Sequence, residues 1–271
     1  MSSRSQYKVT LDEKTHIYHV MNKITGESLE GKIYTISQIA SKIYSEFNPK
    51  TALQRMSQTT KDERYKGLSD EQILDIWKSN GRWTAMLGIK LHAYIEHYLK
   101  GECLPIPEPI PSPVMTFDDS GGVVLTEAHF QELKDYIESA HLKPFSIEKP
   151  VFNRELMIAG TYDTIFINEK NQYILVDYKR RKELTSDNYR KGVIQLNLYR
   201  ILWELQENKQ ITKMFIVSIF PTNTHIDISE IEIRDVLPKV MEFLEKERIK
   251  EDGVLTKTAS SSLGVVPLSL C

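Results

Sequence analysis

Between Met157 and Lys179 two apolar runs, MIAGTYDTIFI and YILVDYK, flank a polar EKNQ turn, and charged groups sit inside both. The alternation and the turn chemistry predict an antiparallel β-hairpin. Pairing about the turn brings Asp163 opposite the Asp177–Tyr178 region, and the two-residue period of a strand puts Asp177 and Lys179 on one face. Two carboxylates and an ammonium thus converge within apolar strands, where charges are costly unless they pair or bind a metal. Any fold for this chain must provide either a structural ion-pair cluster or a functional site at that point.

The chain has 271 residues and a formal charge of −2, enough for one large domain or two small ones. A near-neutral balance excludes a generally basic nucleic-acid coat, so nucleic-acid contact must come from local patches. Cys103 and Cys271 are the two cysteines, without Cys-x-x-Cys spacing. This argues against a disulfide framework, structural zinc and an iron–sulfur cluster, and for a reducing compartment, cytoplasmic or nuclear, rather than secretion. The opening MSSRSQYKVTLDEK has no apolar run of the signal-peptide kind, and no stretch has the apolar length of a membrane span.

Residues 7–34 read as a small hairpin or meander built on YKVTL and HIYHV. Thr35 with Gln38 forms a capping-box pattern that opens a helix to about Phe47, which Asn48-Pro49 ends and restarts. Ser69 with Gln72 repeats the device for a helix expected to stop at Gly81. In the next helix Trp83, Leu87, Leu91, Tyr94 and Tyr98 make an apolar stripe, with Gly88, His92 and Glu96 in line beside it. Residues 104–122 carry Pro105, Pro107, Pro109, Pro111 and Pro113 and end in Gly121-Gly122, an extended surface loop. A helix capped at Thr126 follows, then the strand FSIEKPVFN and the hairpin. Thr185 or Ser186 caps a long helix, succeeded by the strands ITKMFIVSIF and HIDISEIEI and the helix DVLPKVMEFLEKERIK. From Gly253 the tail shows neither helix nor strand period.

In chain order the chemistry-bearing motifs are GIKLH with His92, IEKPVF with Glu148, GTYD with Asp163, VDYK with Asp177 and Lys179, and QLNLY with Gln195 and Tyr199. This series resembles the PD-(D/E)XK nuclease superfamily, in particular its RecB-type, mitochondrial genome-maintenance exonuclease and phage or viral exonuclease branch, over roughly residues 85–220. HIYHV followed by YTISQIASKIY also resembles the opening segment of some phage members. The resemblance implies an α/β fold with a restriction-endonuclease-like core: αβββαβ order and a mixed central sheet flanked by helices, preceded by a hairpin and helical extension. Residues 1–80 would be that extension, 81–250 the nuclease core and 251–271 a tail.

It also implies a metal-dependent deoxyribonuclease, an exonuclease on single-stranded DNA or DNA ends, with replication or recombination proteins as partners and no membrane. Phosphodiester hydrolysis builds charge on phosphoryl and leaving oxygens, which Mg²⁺ or Mn²⁺ bound by carboxylates neutralises. Asp163 and Asp177 would hold the ion, His92 would add an imidazole that suits Mn²⁺, and the Tyr178 carbonyl would complete the set. Lys179 would orient the water or stabilise the phosphate. Glu148 would serve a second ion or a metal-bound water, and Gln195 and Tyr199 would position the others. Arg180, Arg181, Lys182, Arg190 and Lys191 would track phosphates, although Arg180 stands where the family pattern has a small hydroxylated residue. The competing expectations are an ion-paired structural hairpin, a restriction-like or structure-specific endonuclease, and a catalytically silent nucleic-acid-binding module.

Overall fold

A computed structural model describes residues 6–12, 15, 17–44, 48–58, 63–114 and 120–262. Strands β1 (Tyr7–Asp12) and β2 (Ile17–Asn22) form the N-terminal antiparallel hairpin. The third run departs from a meander: β3 (Tyr34–Thr35) leaves the hairpin and joins the main sheet in parallel. Thr35 then caps α1 (Ile36–Tyr44), its Oγ1 accepting from Gln38 N at 3.2 Å while Gln38 Oε1 accepts from Thr35 N at 3.4 Å. The expected end near Phe47 lies outside the described residues. Asn48 Oδ1 accepts from Lys50 and Thr51 amides at 3.0 and 3.2 Å and opens α2 (Pro49–Gln58).

One expectation fails in α3 (Asp70–Leu99), which runs unbroken for 30 residues through Gly81. A helical glycine is destabilising by only about 1 kcal/mol, and burial on both sides of Gly81 outweighs it. Before it, Ile73 packs with Leu53 and Tyr65; after it, Trp83, Leu87, Leu91 and Ile95 enter the main core. The helix changes packing partners at the glycine without changing its backbone.

The proline-rich loop is pinned to α3: Trp83 Nε1 donates to Ile110 O at 2.9 Å, and Ile110 N donates to Gly122 O at 3.0 Å. Gly122 has φ 88°, and a Cβ there would lie 2.0 Å from Ile110 O, so glycine is required. Thr126 caps α4 (Glu127–Ser139), with His129 taking the place of the usual glutamate three residues on.

The sheet follows as β4 (Lys143–Asn153), β5 (Ile158–Ile167), β6 (Tyr173–Arg180), helix α5 (Ser186–Glu207), β7 (Ile211–Ile219) and β8 (Ile226–Glu230). Thr185 is the cap of α5, accepting from Asn188 N at 3.1 Å. The order is β3-β5-β6-β7-β8, with β4 on the other edge of β5. The β4/β5, β5/β6 and β7/β8 pairs are antiparallel, and β6/β7 is parallel, joined through α5. The fold is mixed α/β, with helices on a mixed central sheet and an antiparallel N-terminal hairpin. Leu87, Leu91, Leu133 and Ile137 of α3 and α4 pack on Phe166, Val176, Tyr178 and Val217.

Two compact units are defined, Met1–Arg234 and Asp235–Cys271. In the second, Asp235 Oδ1 accepts from Leu237 N at 3.0 Å at the start of α6 (Leu237–Ser262). Pro238 lies in its first turn, where no amide donor is needed. The helix continues beyond Gly253, where the sequence lacks a helical period.

Candidate metal centre

The site lies where β5 and β6 part. Strand β4 pairs with β5 along its length, so β3 and β6 share the opposite edge. β3 takes Ile158 and Ala159, and β6 begins only at Thr164↔Val176. Gly160 to Asp163 therefore have no strand partner on that edge among the described residues. A buried amide must be satisfied, and Tyr178 N donates to Asp163 Oδ2 at 2.7 Å in place of the missing ladder bond.

Across the other edge, Ile147↔Thr164 and Lys149↔Tyr162 bracket Glu148 and Asp163. Glu148 has φ 46°, a left-handed conformation inside a strand. For a residue with a Cβ this is unfavourable by roughly 1 kcal/mol, and such conformations gather at functional sites. Helix α3 adds His92, whose Nδ1 is 3.3 Å from Asp163 Oδ1 and 3.8 Å from Glu148 Oε1. One ligand atom from each of His92, Glu148 and Asp163 lies within 4.8 Å of the others.

The electrostatics follow from this crowding. Burial disfavours charge on His92, but the Asp163 charge and hydrogen bonds to Asp163 and Glu148 outweigh it and push the imidazole up to about 10. Burial likewise opposes charge on Asp163, yet His92, Lys179 and the Tyr178 amide hold its carboxyl below the ordinary value. Glu148 and Asp177 are both raised, chiefly by burial. Asp177, 2% exposed, keeps Lys179 Nζ at 2.9 Å from Oδ1 and 2.8 Å from Oδ2 and accepts from Gln195 Nε2 at 3.2 Å. Among the described residues its Oδ2 is met by the Lys179 ammonium as an ion pair and by no other donor. Lys179 stays cationic because the Asp177 and Asp163 charges outweigh its burial.

These residues fit a hard divalent cation. Oxygen donors from Glu148 and Asp163 stand beside one imidazole. Asp177, expected as a ligand with Asp163, is not in the close group; Lys179 and Gln195 hold it, while Glu148 stands in the group instead. Tyr178, expected to offer its carbonyl, engages Asp163 through its amide.

Tyr199 is buried in α5, and its ring explains Gly160: a Cβ there would lie 2.7 Å from Tyr199 Cε1 and 2.8 Å from Ile36 Cδ1. The glycine admits α5 and α1 to the strand. The basic run does not form one face. Arg180 Nε donates to Val123 O at 2.8 Å and Nη2 to Ser120 Oγ at 2.6 Å, so this guanidinium ties down the loop. Arg181 extends the β6/β7 ladder through its amide to Ile219 O, and its buried Nη1 has no hydrogen-bond partner among the described residues. Lys182 and Arg190 are exposed, Arg190 lying 3.5 Å from Asp187, and Lys191 is half-buried.

In the N-terminal hairpin the HIYHV motif carries a resemblance but no expected site residue. Tyr18 Oη nevertheless lies 3.0 Å from Thr161 Oγ1, two residues before Asp163. The contact spans 143 positions, and no local pattern in HIYHV distinguishes this tyrosine.

No protein-family model matches the chain, and no curated protein matches it. Among solved structures it is similar to SSO0001, known from a crystal structure, at 18% identity and a TM-score of 0.36 over 83% of this chain and 78% of that one. This likeness bears on no residue of the site.

Proposed function

We propose that the chain is a metal-dependent deoxyribonuclease of the PD-(D/E)XK kind, acting as an exonuclease on single strands or DNA ends. The observation that carries this reading is the meeting of His92, Glu148, Asp163, Asp177 and Lys179 at the parting of β5 and β6. An ion-paired structural hairpin would not require a glutamate in left-handed backbone. His92, Glu148 and Asp163 would hold the ion, with Asp177 beside them on Lys179 and Gln195. A hard divalent cation such as Mg²⁺ or Mn²⁺, held by these residues, would supply Lewis-acid charge at the phosphoryl oxygens. Asp177 fixes the Lys179 ammonium at the edge of the site, where it orients the attacking water or a phosphate oxygen. Gln195 holds Asp177 in place from α5.

The test uses end-labelled single and double strands with Mg²⁺, Mn²⁺ or EDTA, comparing the full chain with Asp177→Ala and Lys179→Ala. Metal-dependent release of short products that both substitutions reduce by at least about a hundredfold is expected. Equal turnover in all three proteins would refute the assignment, and cleavage of closed circles would make the enzyme an endonuclease.

A further inference from the structure

A cavity lies against the N-terminal hairpin, lined among others by Tyr18, Val20, Leu29, Lys32, Ile33 and Gln38. Tyr18 links it to the metal centre. It lines the cavity, its hydroxyl meets Thr161 on β5, and it feels the charge of Glu148. Val20, Leu29 and Ile33 give one part of the lining an apolar character. Lys32 and Gln38 are exposed and supply a cation and an amide. A mixed surface of apolar side chains, an aromatic ring, polar groups that include Ser28 and Thr35, and a cation suits a nucleobase carrying its sugar and phosphate.

We propose that this cavity is the subsite for one unpaired nucleoside next to the bond being cut, with Tyr18 as the wall shared with the metal centre. The inference rests on the nuclease reading and adds where the strand lies. A base still paired in a duplex cannot enter a recess walled by the hairpin, whereas a splayed base can stack on the tyrosine. Tyr18 is thus a positioning residue for substrate, and the hairpin supplies a preference for single strands or frayed ends.

The experiment measures binding of labelled oligothymidylate, and of a blunt duplex, to the full chain in Ca²⁺, alongside Mn²⁺ calorimetry without DNA. Tyr18→Ala and the cavity-filling Leu29→Trp are each expected to raise the Kd for oligothymidylate about tenfold. Mn²⁺ affinity should stay within about twofold and duplex binding should not move. Lys32→Glu, at an exposed position, should weaken single-strand binding selectively and keeps the test open if either other change unfolds the hairpin. Unchanged oligothymidylate binding in the folded variants, or equal losses on duplex, overturns the subsite while Mn²⁺ binding and cleavage leave the nuclease reading standing. Absence of Mn²⁺ and oligothymidylate binding in the unaltered chain overturns both.

Discussion

Asp163 accepts the amide proton of Tyr178 at 2.7 Å, so one carboxylate both belongs to the ligand group and replaces a missing bond of the sheet. The two roles separate by substitution. Asp163→Asn retains a carbonyl acceptor but loses the charge that supports the His92 imidazolium; it should fold with reduced stability and lose metal binding. Asp163→Ala strands a buried amide as well and should lose a further 1 to 3 kcal/mol or so. Denaturant unfolding together with Mn²⁺ calorimetry reads both, and equal stability of the two variants would remove the structural role.

Glu148 invites the opposite trade. Glycine adopts φ 46° without the Cβ penalty, so Glu148→Gly should raise stability by up to about 1 kcal/mol while weakening metal affinity at least about tenfold. Loss of stability in this variant would mean that the left-handed turn is not strained.

His129 gives a pH dependence whose sign follows from its hydrogen bond. Its Nδ1 accepts from Thr126 N at 3.0 Å, which only the unprotonated nitrogen can do, and burial lowers its pKa below 6.5. A depressed histidine contributes stability that is complete above the unfolded value and is lost as pH falls from about 6.5 through the folded value. Unfolding free energies at about pH 7.5 and 5.5 should therefore differ more in the natural protein than in His129→Gln, which keeps the capping pattern without the titration.

Two glycines should respond in opposite directions. Gly81 is exposed in mid-helix with nothing within 4 Å of an added Cβ, so Gly81→Ala should stabilise by roughly 1 kcal/mol. Gly160→Ala drives a methyl into Tyr199 and Ile36 and should destabilise by about 1 to 3 kcal/mol. Thermal melts of the pair provide the comparison.

The sequence disclosed what local periodicity and capping control. The β5–β6 hairpin, the Ser69 and Thr126 caps and the loop before α4 were readable because a few neighbouring residues determine each. Asp163 and Asp177 were readable as charges within apolar strands. Helix α3 was misread at Gly81 because its two halves are held by clusters distant in sequence, which no window around the glycine contains. Glu148 looks like any glutamate beside a lysine until φ and strand register are known. Tyr18 and the loop-holding role of Arg180 depend on contacts across 143 and 60 positions, beyond any local pattern.

Arg180 directly follows Lys179, and its guanidinium grips Ser120 and Val123. The end of the proline-rich loop and the lysine are therefore adjacent points on one mechanical linkage. A change at Ser120, far from the ligand group in the chain, slackens the strand end from which the ammonium projects, so the loop sets the stiffness of the lysine's mounting.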